Sequence, residues 1–459
     1  MLNGKVKQKG KAVVVIILII AIAIVGYFFI RSLMSNAHNS SINSNNSNNL
    51  NSQNNSTQII DTNKPSDTTP QDNNSNLTKS YFLKTYNFGT AIQNSQSRGL
   101  VKVKDGYVML GNDDSQALYL LKTDFSGKVI WNKSIGPKSN YNPSYSINNL
   151  FKIDNGFIAA NVLETNLKDK LEIIKVNFDG FVDWNKTFDV NKISSIAITT
   201  TKENNILVSV VSYDPNSYQF DYTTTLYKID QQGNLIWKKN ITKDLLDVGS
   251  LKTISDGYLI GGMKLSENLL STYIYLAKIN TSGELVWSKE LGNTGSNDTS
   301  FALLKNDVHS IFAENDGYLL VGSTNILGNT ESQDNDAYSA YILKTDLQGN
   351  KQWVNTFSVL NSNEIDVITN ANDGKGYVVA GLAFNSDSKD KSTIFIIKTD
   401  NSGKKIWEKD YKSVDDGSVN GIINNANGYV VTGQMYPANN PDYKKAFLLS
   451  MDESGNISN

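Results

Sequence analysis

The chain has 459 residues, a net charge of -2, no cysteine and two histidines, His38 and His309. Near-neutral charge leaves no basic footprint for nucleic acid. The missing cysteines exclude disulfides, thiolate metal sites, a thiol nucleophile and an acylated cysteine, and so few histidines argue against zinc clusters and a Ser-His-Asp triad.

Lys5, Lys7, Lys9 and Lys11 precede an uncharged apolar run from Ala12 to Ile30, close to the ~20 residues that cross a bilayer as a helix. Lysines before the run and Arg31 just after it predict a cytoplasmic N-terminus at 1–11, a transmembrane helix at 12–31 and the remainder outside the cell. A cleaved signal peptide is the competing reading, with Ser35-Asn36-Ala37 as its small-residue site; its apolar core would normally be shorter, about 7–15 residues. Residues 32–79 are dominated by Asn and Ser and hold no Phe, Tyr or Trp. Such a segment buries too little apolar surface to offset its conformational entropy and is expected to be a disordered linker. As a flexible coil it would span about 35–40 Å on average, and on the order of 160 Å fully drawn out.

From Tyr81 the texture changes to short β-rich runs separated by Gly, Asn and Asp. One phrase recurs, Lys-x-Asp/Asn-x-x-Gly-x-x-x-Trp, first as Lys122, Asp124, Gly127 and Trp131. It returns ending in Trp184, Trp237, Trp287, Trp353 and Trp407, which with Trp131 account for all 6 tryptophans. A second signature is a Gly-aromatic pair followed by β-branched residues and a second glycine, as in Gly317-Tyr318-Leu319 to Gly322; it appears in five repeats, with Gly156-Phe157 and the degenerate Asn205-Ile206 filling the two remaining slots. Within a repeat four strands are expected; in the sixth they are 365–371, 377–382, 393–399 and 404–410. Four short strands per unit of about 50 residues indicate a β-propeller. The seventh repeat stops without a Trp, and Tyr81-Phe-Leu-Lys-Thr-Tyr-Asn-Phe88 resembles the missing fourth strand. The fold class is therefore all-β: a seven-bladed propeller of four-stranded antiparallel blades over 80–459, with 81–88 closing the last blade.

The repeats resemble the bacterial propellers of the pyrroloquinoline-quinone-like (quinoprotein-like) superfamily, whose blades carry an Ala-x-Asp-x-x-Thr-Gly-x-x-x-Trp docking phrase. That resemblance implies the fold without the cofactor, because the quinone enzymes place adjacent cysteines and a calcium site beside the quinone. The phrase is also similar to the Asp-box of sialidases, with its Gly and Trp displaced and no arginine triad.

The tryptophans are read as architecture: each lies on a fourth strand and packs between blades. The Asp or Asn bonds turn N–H groups, and the Gly supplies positive φ. In a four-stranded meander the Asp-Gly and Asp-x-x-Gly turns share one face, and the longer, irregular segments share the other. Counting ten residues back from each Gly-aromatic pair, with an allowance for an insertion in the sixth repeat, reaches Gln96, Ser146, Ser195, Asp247, Asp307, Glu364 and Ser418. Asp247, Asp307 and Glu364 belong to consecutive blades, and His309 and Asp366 lie two residues further along. This acidic sector at the channel mouth is the candidate ligand site, suited to a cationic group or to Ca²⁺ with its 6–8 oxygen ligands; otherwise no cofactor is expected. Asp334-Asn335-Asp336 resembles a fragment of a calcium loop but lacks the Gly and final Glu. Tyr145, Tyr213 and Tyr218, in or beside the irregular segments, are candidates to stack on sugar rings or anchor a peptide.

The expectation is a membrane-anchored extracytoplasmic head, monomeric, that binds or scaffolds protein or glycan at the cell surface. The rival is a polysaccharide-acting enzyme using Asp307, Glu364 or Asp366 as acid and base; a purely structural head is the third reading.

Overall fold

The computed structural model describes residues 81–457, apart from 90–93, 114–116, 137–148, 167, 218–220, 266–271, 292–305, 325–337, 385–391, 414–416 and 438–441. The chain divides into two compact units, Met1–Asn74 and Ser75–Asn459, and every described residue belongs to the second. The expected anchor and linker, Tyr145, Tyr218 and Asp334-Asn335-Asp336 lie outside the described residues. Among the described residues no helix is long and apolar enough to cross a membrane.

The described strands form seven antiparallel sheets of four. Blades 1 to 7 begin with inner strands Ser95–Val103, Leu150–Ile153, Lys192–Thr200, Leu245–Ile254, Ser310–Ala313, Ser362–Asn370 and Ser418–Asn425. Blades 1 to 6 end with outer strands Val129–Gly136, Val182–Val190, Leu235–Lys243, Leu285–Leu291, Lys351–Phe357 and Lys405–Ser413. In blade 6 the strands are Ser362–Asn370, Tyr377–Phe384, Ser392–Thr399 and Lys405–Ser413, differing from the expected runs only at their ends. Second strands such as Gly106–Asp113 are buried at every position. They are covered on both faces, which is why they read as continuous apolar runs rather than alternating ones.

Blade 7 takes its outer strand from the other end of the sequence. Phe82–Tyr86 pairs antiparallel with Lys445–Asp452, Phe82 opposite Ser450 and Tyr86 opposite Ala446. The ring therefore closes with seven blades, and the third strand of blade 7 has no bare edge. The core is divided among the blade junctions. Ile158 and Ile173 of blade 2 pack with Ile196 and Val208 of blade 3. Val430 and Leu448 of blade 7 pack with Met109 and Leu121 of blade 1, together with Phe82 and Tyr86.

The repeated phrase is a locked turn. In blade 1, Asp124 Oδ1 accepts the N–H groups of Ser126 at 2.8 Å and Lys128 at 2.9 Å, and Gly127 takes φ 79°. In blade 2, Asn177 Oδ1 accepts from Asp179 and Phe181 at 3.0 Å each, so the amide serves as well as the carboxylate. In blades 1, 4 and 6 the phrase lysine pairs with an acid of the other turn, Lys122 with Asp105 at 2.8 Å, Lys278 with Asp256 at 2.7 Å and Lys398 with Asp373 at 2.7 Å, whereas Lys175 of blade 2 meets Asp183 of its outer strand at 3.7 Å. Sequence spacing alone did not reveal this staple.

Each glycine of the phrase has a second duty. A Cβ placed on Gly349 would meet the indole of Trp287 at 2.7 Å, on Gly403 that of Trp353 at 2.5 Å, and on Gly455 that of Trp407 at 3.0 Å. Gly180, Gly233 and Gly283 stand in the same relation to Trp131, Trp184 and Trp237. The tryptophan of one blade thus lies beneath the turn of the next, half-buried. At the seventh junction a Cβ on the first blade's Gly127 would meet Phe82 at 2.6 Å and the Tyr86 hydroxyl at 2.8 Å, and that hydroxyl donates to the Gly127 carbonyl at 2.8 Å. Two rings of the borrowed strand replace the missing indole.

This geometry gives a double-mutant prediction. Gly374 also has positive φ (67°) but nothing within 4 Å of an added Cβ, so Gly374→Ala should cost only the left-handed penalty of about 1–2 kcal/mol. Gly349→Ala should cost clearly more. Trp287→Ala should cost about 2–3 kcal/mol, less than a fully buried ring, and denaturant melts should show Gly349→Ala becoming cheaper in its presence. Additive losses would contradict the interlock.

Candidate functional site

The inner strands carry one rung around the channel mouth. Gln96 pairs with Asn112, Ser195 with Val211, Asp247 with Met263, Glu364 with Leu382 and Ser418 with Gln434; Asp307 donates its N–H to Ser323 O at 3.1 Å. This rung lies away from the tight turns, on the face from which the irregular segments leave. Ser146 lies outside the described residues.

Just inside the rung the inner strands bulge. The register slips at Arg98 in blade 1, Asp366 in blade 6 and Asn420 in blade 7. In blade 5, Asn306 bridges to Thr324 and Ser310 pairs with Val321, so Asp307 to His309 stand opposite Gly322 and Ser323 alone, with one residue extra. A bulge re-aims side chains. Here it turns His309 of blade 5 onto Asp366 of blade 6, whose bulge is level with its own. Blade 4 has glycine at this level, and a Cβ on Gly249 would meet Val308 O of blade 5 at 1.8 Å.

His309 sits between two carboxylates. Its Nδ1 donates to Asp366 Oδ1 at 3.0 Å, and its Nε2 faces Asp307 Oδ1 at 3.4 Å. Asp366 Oδ2 accepts the N–H of Val419 in blade 7 at 3.2 Å. Asp307 accepts the Ser323 N–H at 2.7 Å and the Ser323 hydroxyl at 2.9 Å. Burial opposes a charge on His309, yet the two carboxylates hold its pKa well above the usual imidazole value. Burial likewise opposes charge on Asp307, but His309 and Ser323 keep its carboxyl below the usual range. The group is an imidazolium clasped by two acids, binding blades 5, 6 and 7 together.

Asp247 is placed differently. Its Oδ1 is shut off from solvent and meets no hydrogen-bond donor among the described residues. Burial pushes its carboxyl up to about 6, against Ser195 and His309, which favour the charge, and with Asp307, which opposes it. Glu364 is half-buried on the same rung in blade 6, while the imidazole's contacts go to Asp307 and Asp366. Tyr213 belongs to blade 3, away from the clasp, and stacks obliquely on Tyr222 with ring centroids 5.5 Å apart. Burial raises its hydroxyl pKa.

One polar group escaped the sequence reading. Glu172 of blade 2 is buried and accepts amide N–H groups from Asn161 and Asn185, each at 3.1 Å; burial pushes its carboxyl up despite both amides. Tyr119, Tyr275, Tyr341, Phe395 and Phe447 hold the corresponding cross-strand place, each opposite a second-strand glycine. A carboxylate where other repeats keep an aromatic ring was the available signal.

No family model matches the sequence, and no curated protein is similar to it. Among solved structures, the polysaccharide lyase Uly1 is similar over 83% of this chain and 94% of its own, at 10% identity and a TM-score of 0.46. A puromycin hydrolase variant complexed with PGG is similar over 79% of this chain and 53% of its own, at 9% identity and a TM-score of 0.42. Likenesses this remote say nothing of the site.

Two pH effects follow. The clasp stabilises fully below the unfolded imidazole pKa of about 6.5, and its contribution fades as pH rises through the higher folded value. It also needs Asp307 charged, so it weakens again as pH falls through that residue's lowered pKa. His309→Leu should therefore cost about 3–5 kcal/mol near pH 7, because two buried acids lose their cation, and less under strong acid. Asp247 has the opposite sign: its raised pKa makes folding lose stability as pH climbs from about 4 to about 6. Asp247→Asn should flatten that part of the stability curve and gain on the order of 2 kcal/mol at pH 7. Thermal melts across pH check both, and an unchanged curve for either variant would contradict the assignment.

Proposed function

We propose that this chain is a single-pass, N-in membrane protein that holds a monomeric propeller outside the cell as a binding or scaffolding head for protein or glycan. The blade phrase is read as quinoprotein-like architecture without a quinone. The observation that carries the binding reading is the clasp. Asp307 and Asp366, the acids best placed for paired acid–base work, both bear on one imidazole and give their remaining contacts to Ser323 and Val419. A hydrolytic pair needs one carboxyl free to give a proton and another facing the reacting carbon or its water. Among the described residues no group of three or more His, Cys, Asp or Glu side chains is arranged to hold a metal.

Binding is assigned to the face opposite the tight turns, where strand ends carry segments of unequal length. A uniform scaffold with variable connections on one side is the usual plan of a recognition surface. Tyr213 and Tyr222 offer a half-buried aromatic step there, suited to a sugar ring or a peptide side chain. One observation favours the enzymatic alternative: Asp247, with an unpartnered oxygen and a raised pKa, has the character of a general acid.

Residues 80–459 close on themselves as a ring, so they serve as the test protein. Incubated with cell-surface polysaccharide and with surface-protein peptides, they should retain one of these without releasing new reducing ends or amines, and Tyr222→Ala should weaken retention. New reducing ends that disappear with Asp247→Asn would replace the binding head with an enzyme.

A further inference from the structure

The central channel changes character along its length. One rung of the inner strands, opposite the second-strand residue that follows each Gly-aromatic slot, consists of Val101, Phe151, Thr199, Lys252, Phe312, Thr369 and Ile423. Four of these are apolar and half-buried, two carry hydroxyls, and Lys252 alone is charged and exposed. The next rung toward the tight turns adds Lys102 and Lys152 and holds threonine, asparagine or alanine in the other blades. Neither rung contains an acid, whereas the opposite mouth carries Asp247, Asp307, Glu364 and Asp366.

The acids around Lys252 are engaged elsewhere. Asp256, in the turn that ends its own strand, pairs with Lys278 at 2.7 Å. Glu314, which follows the inner strand of blade 5, pairs with Lys344 and accepts the Tyr377 hydroxyl at 2.9 Å. Glu203, in the inner turn of blade 3, accepts the Thr201 hydroxyl at 2.8 Å. Asp247 stands near the opposite end of the strand, against Ser195. Lys252 shares a strand face with Ile254, which packs with Ile311 and Ala313 of blade 5. Among the described residues no carboxylate acts on Lys252, and the surrounding strands lower its pKa by displacing water. A cation set among apolar groups without a counter-charge is costly, and an anion that enters the channel removes the cost. A single ammonium beside four apolar side chains matches one charge on an apolar body better than the paired charges of a phosphate. We propose that Lys252 receives the carboxylate of a small apolar acid in the turn-side half of the channel, with the body of that acid against Phe151, Phe312 and Ile423. This site lies apart from the recognition face assigned above, and it stands whether or not that face binds protein or glycan.

The full chain is labelled with a limiting pulse of an acetylating succinimidyl ester, and peptide mass spectrometry reads the modification of each lysine. Butyrate, hexanoate, benzoate and inorganic phosphate are compared, with 1-hexanol as the uncharged control. At about ten times its Kd, a bound acid should slow labelling of Lys252 about tenfold by mass action, while the exposed Lys351 labels at an unchanged rate. Hexanoate or benzoate should protect at lower concentration than butyrate. The same acid should raise the melting temperature of the parent chain and leave that of Lys252→Met unmoved. Labelling of the parent needs no variant, so it decides the matter if Lys252→Met fails to fold. Absence of protection by every acid overturns the proposal. So do protection by 1-hexanol, phosphate acting as well as the acids, and a melting shift that Lys252→Met retains.

Discussion

An indole beneath a glycine turn is the contact on which the ring depends. The turn glycine is needed twice, once for its positive φ and once because a methyl group there would collide with the preceding blade's ring. This makes the phrase a statement about neighbours rather than about one blade. The blade junctions hold the hydrophobic core, so cohesion depends on how well consecutive sheets nest. The interlock fixes that nesting at the perimeter, where the outer strands contribute little other burial. The lysine-to-acid staples of blades 1, 4 and 6 stiffen the same turns, but their carboxylates face solvent and the pairs are of modest worth.

The same logic runs to the inner strands. Side chains on one inner strand cap backbone N–H groups on the next: Ser195 Oγ accepts from Val248 at 3.0 Å, Ser250 Oγ from Ile311 at 3.1 Å and Asp366 from Val419 at 3.2 Å. These caps fall where bulges would leave donors unpaired, and an unpaired buried donor is costly. The His309 clasp is one such seam with charge added. The Asp307, His309 and Asp366 contacts join blades 5, 6 and 7, and among the described residues Asp247 Oδ1 meets no donor.

Much of the architecture was legible because the repeat confines tryptophan to one slot and because the last repeat lacks what the N-terminal segment resembles. Strand number, blade number and the rung of inner-strand starts follow from that periodicity. The partnership between His309 and Asp366 was harder to read, because it depends on two bulges at the same level, and a bulge inserts a residue without a sequence signature. The turn glycine's second role was equally hidden, since positive φ alone accounts for it. Glu172 was overlooked because composition treats one acid like another, and only its place among aromatic equivalents sets it apart.

The most direct test of the ring as described lies at its closing junction, where Phe82 and Tyr86 replace the seventh tryptophan. Amide hydrogen exchange is measured on a Phe82→Ala, Tyr86→Ala variant of the full chain. Protection should fall in Lys445–Asp452 and in the turn at Gly127, while the inner and second strands of blades 3 to 5 keep theirs. Unchanged exchange at both sites, or an equal loss in all seven blades, would contradict closure by the borrowed strand.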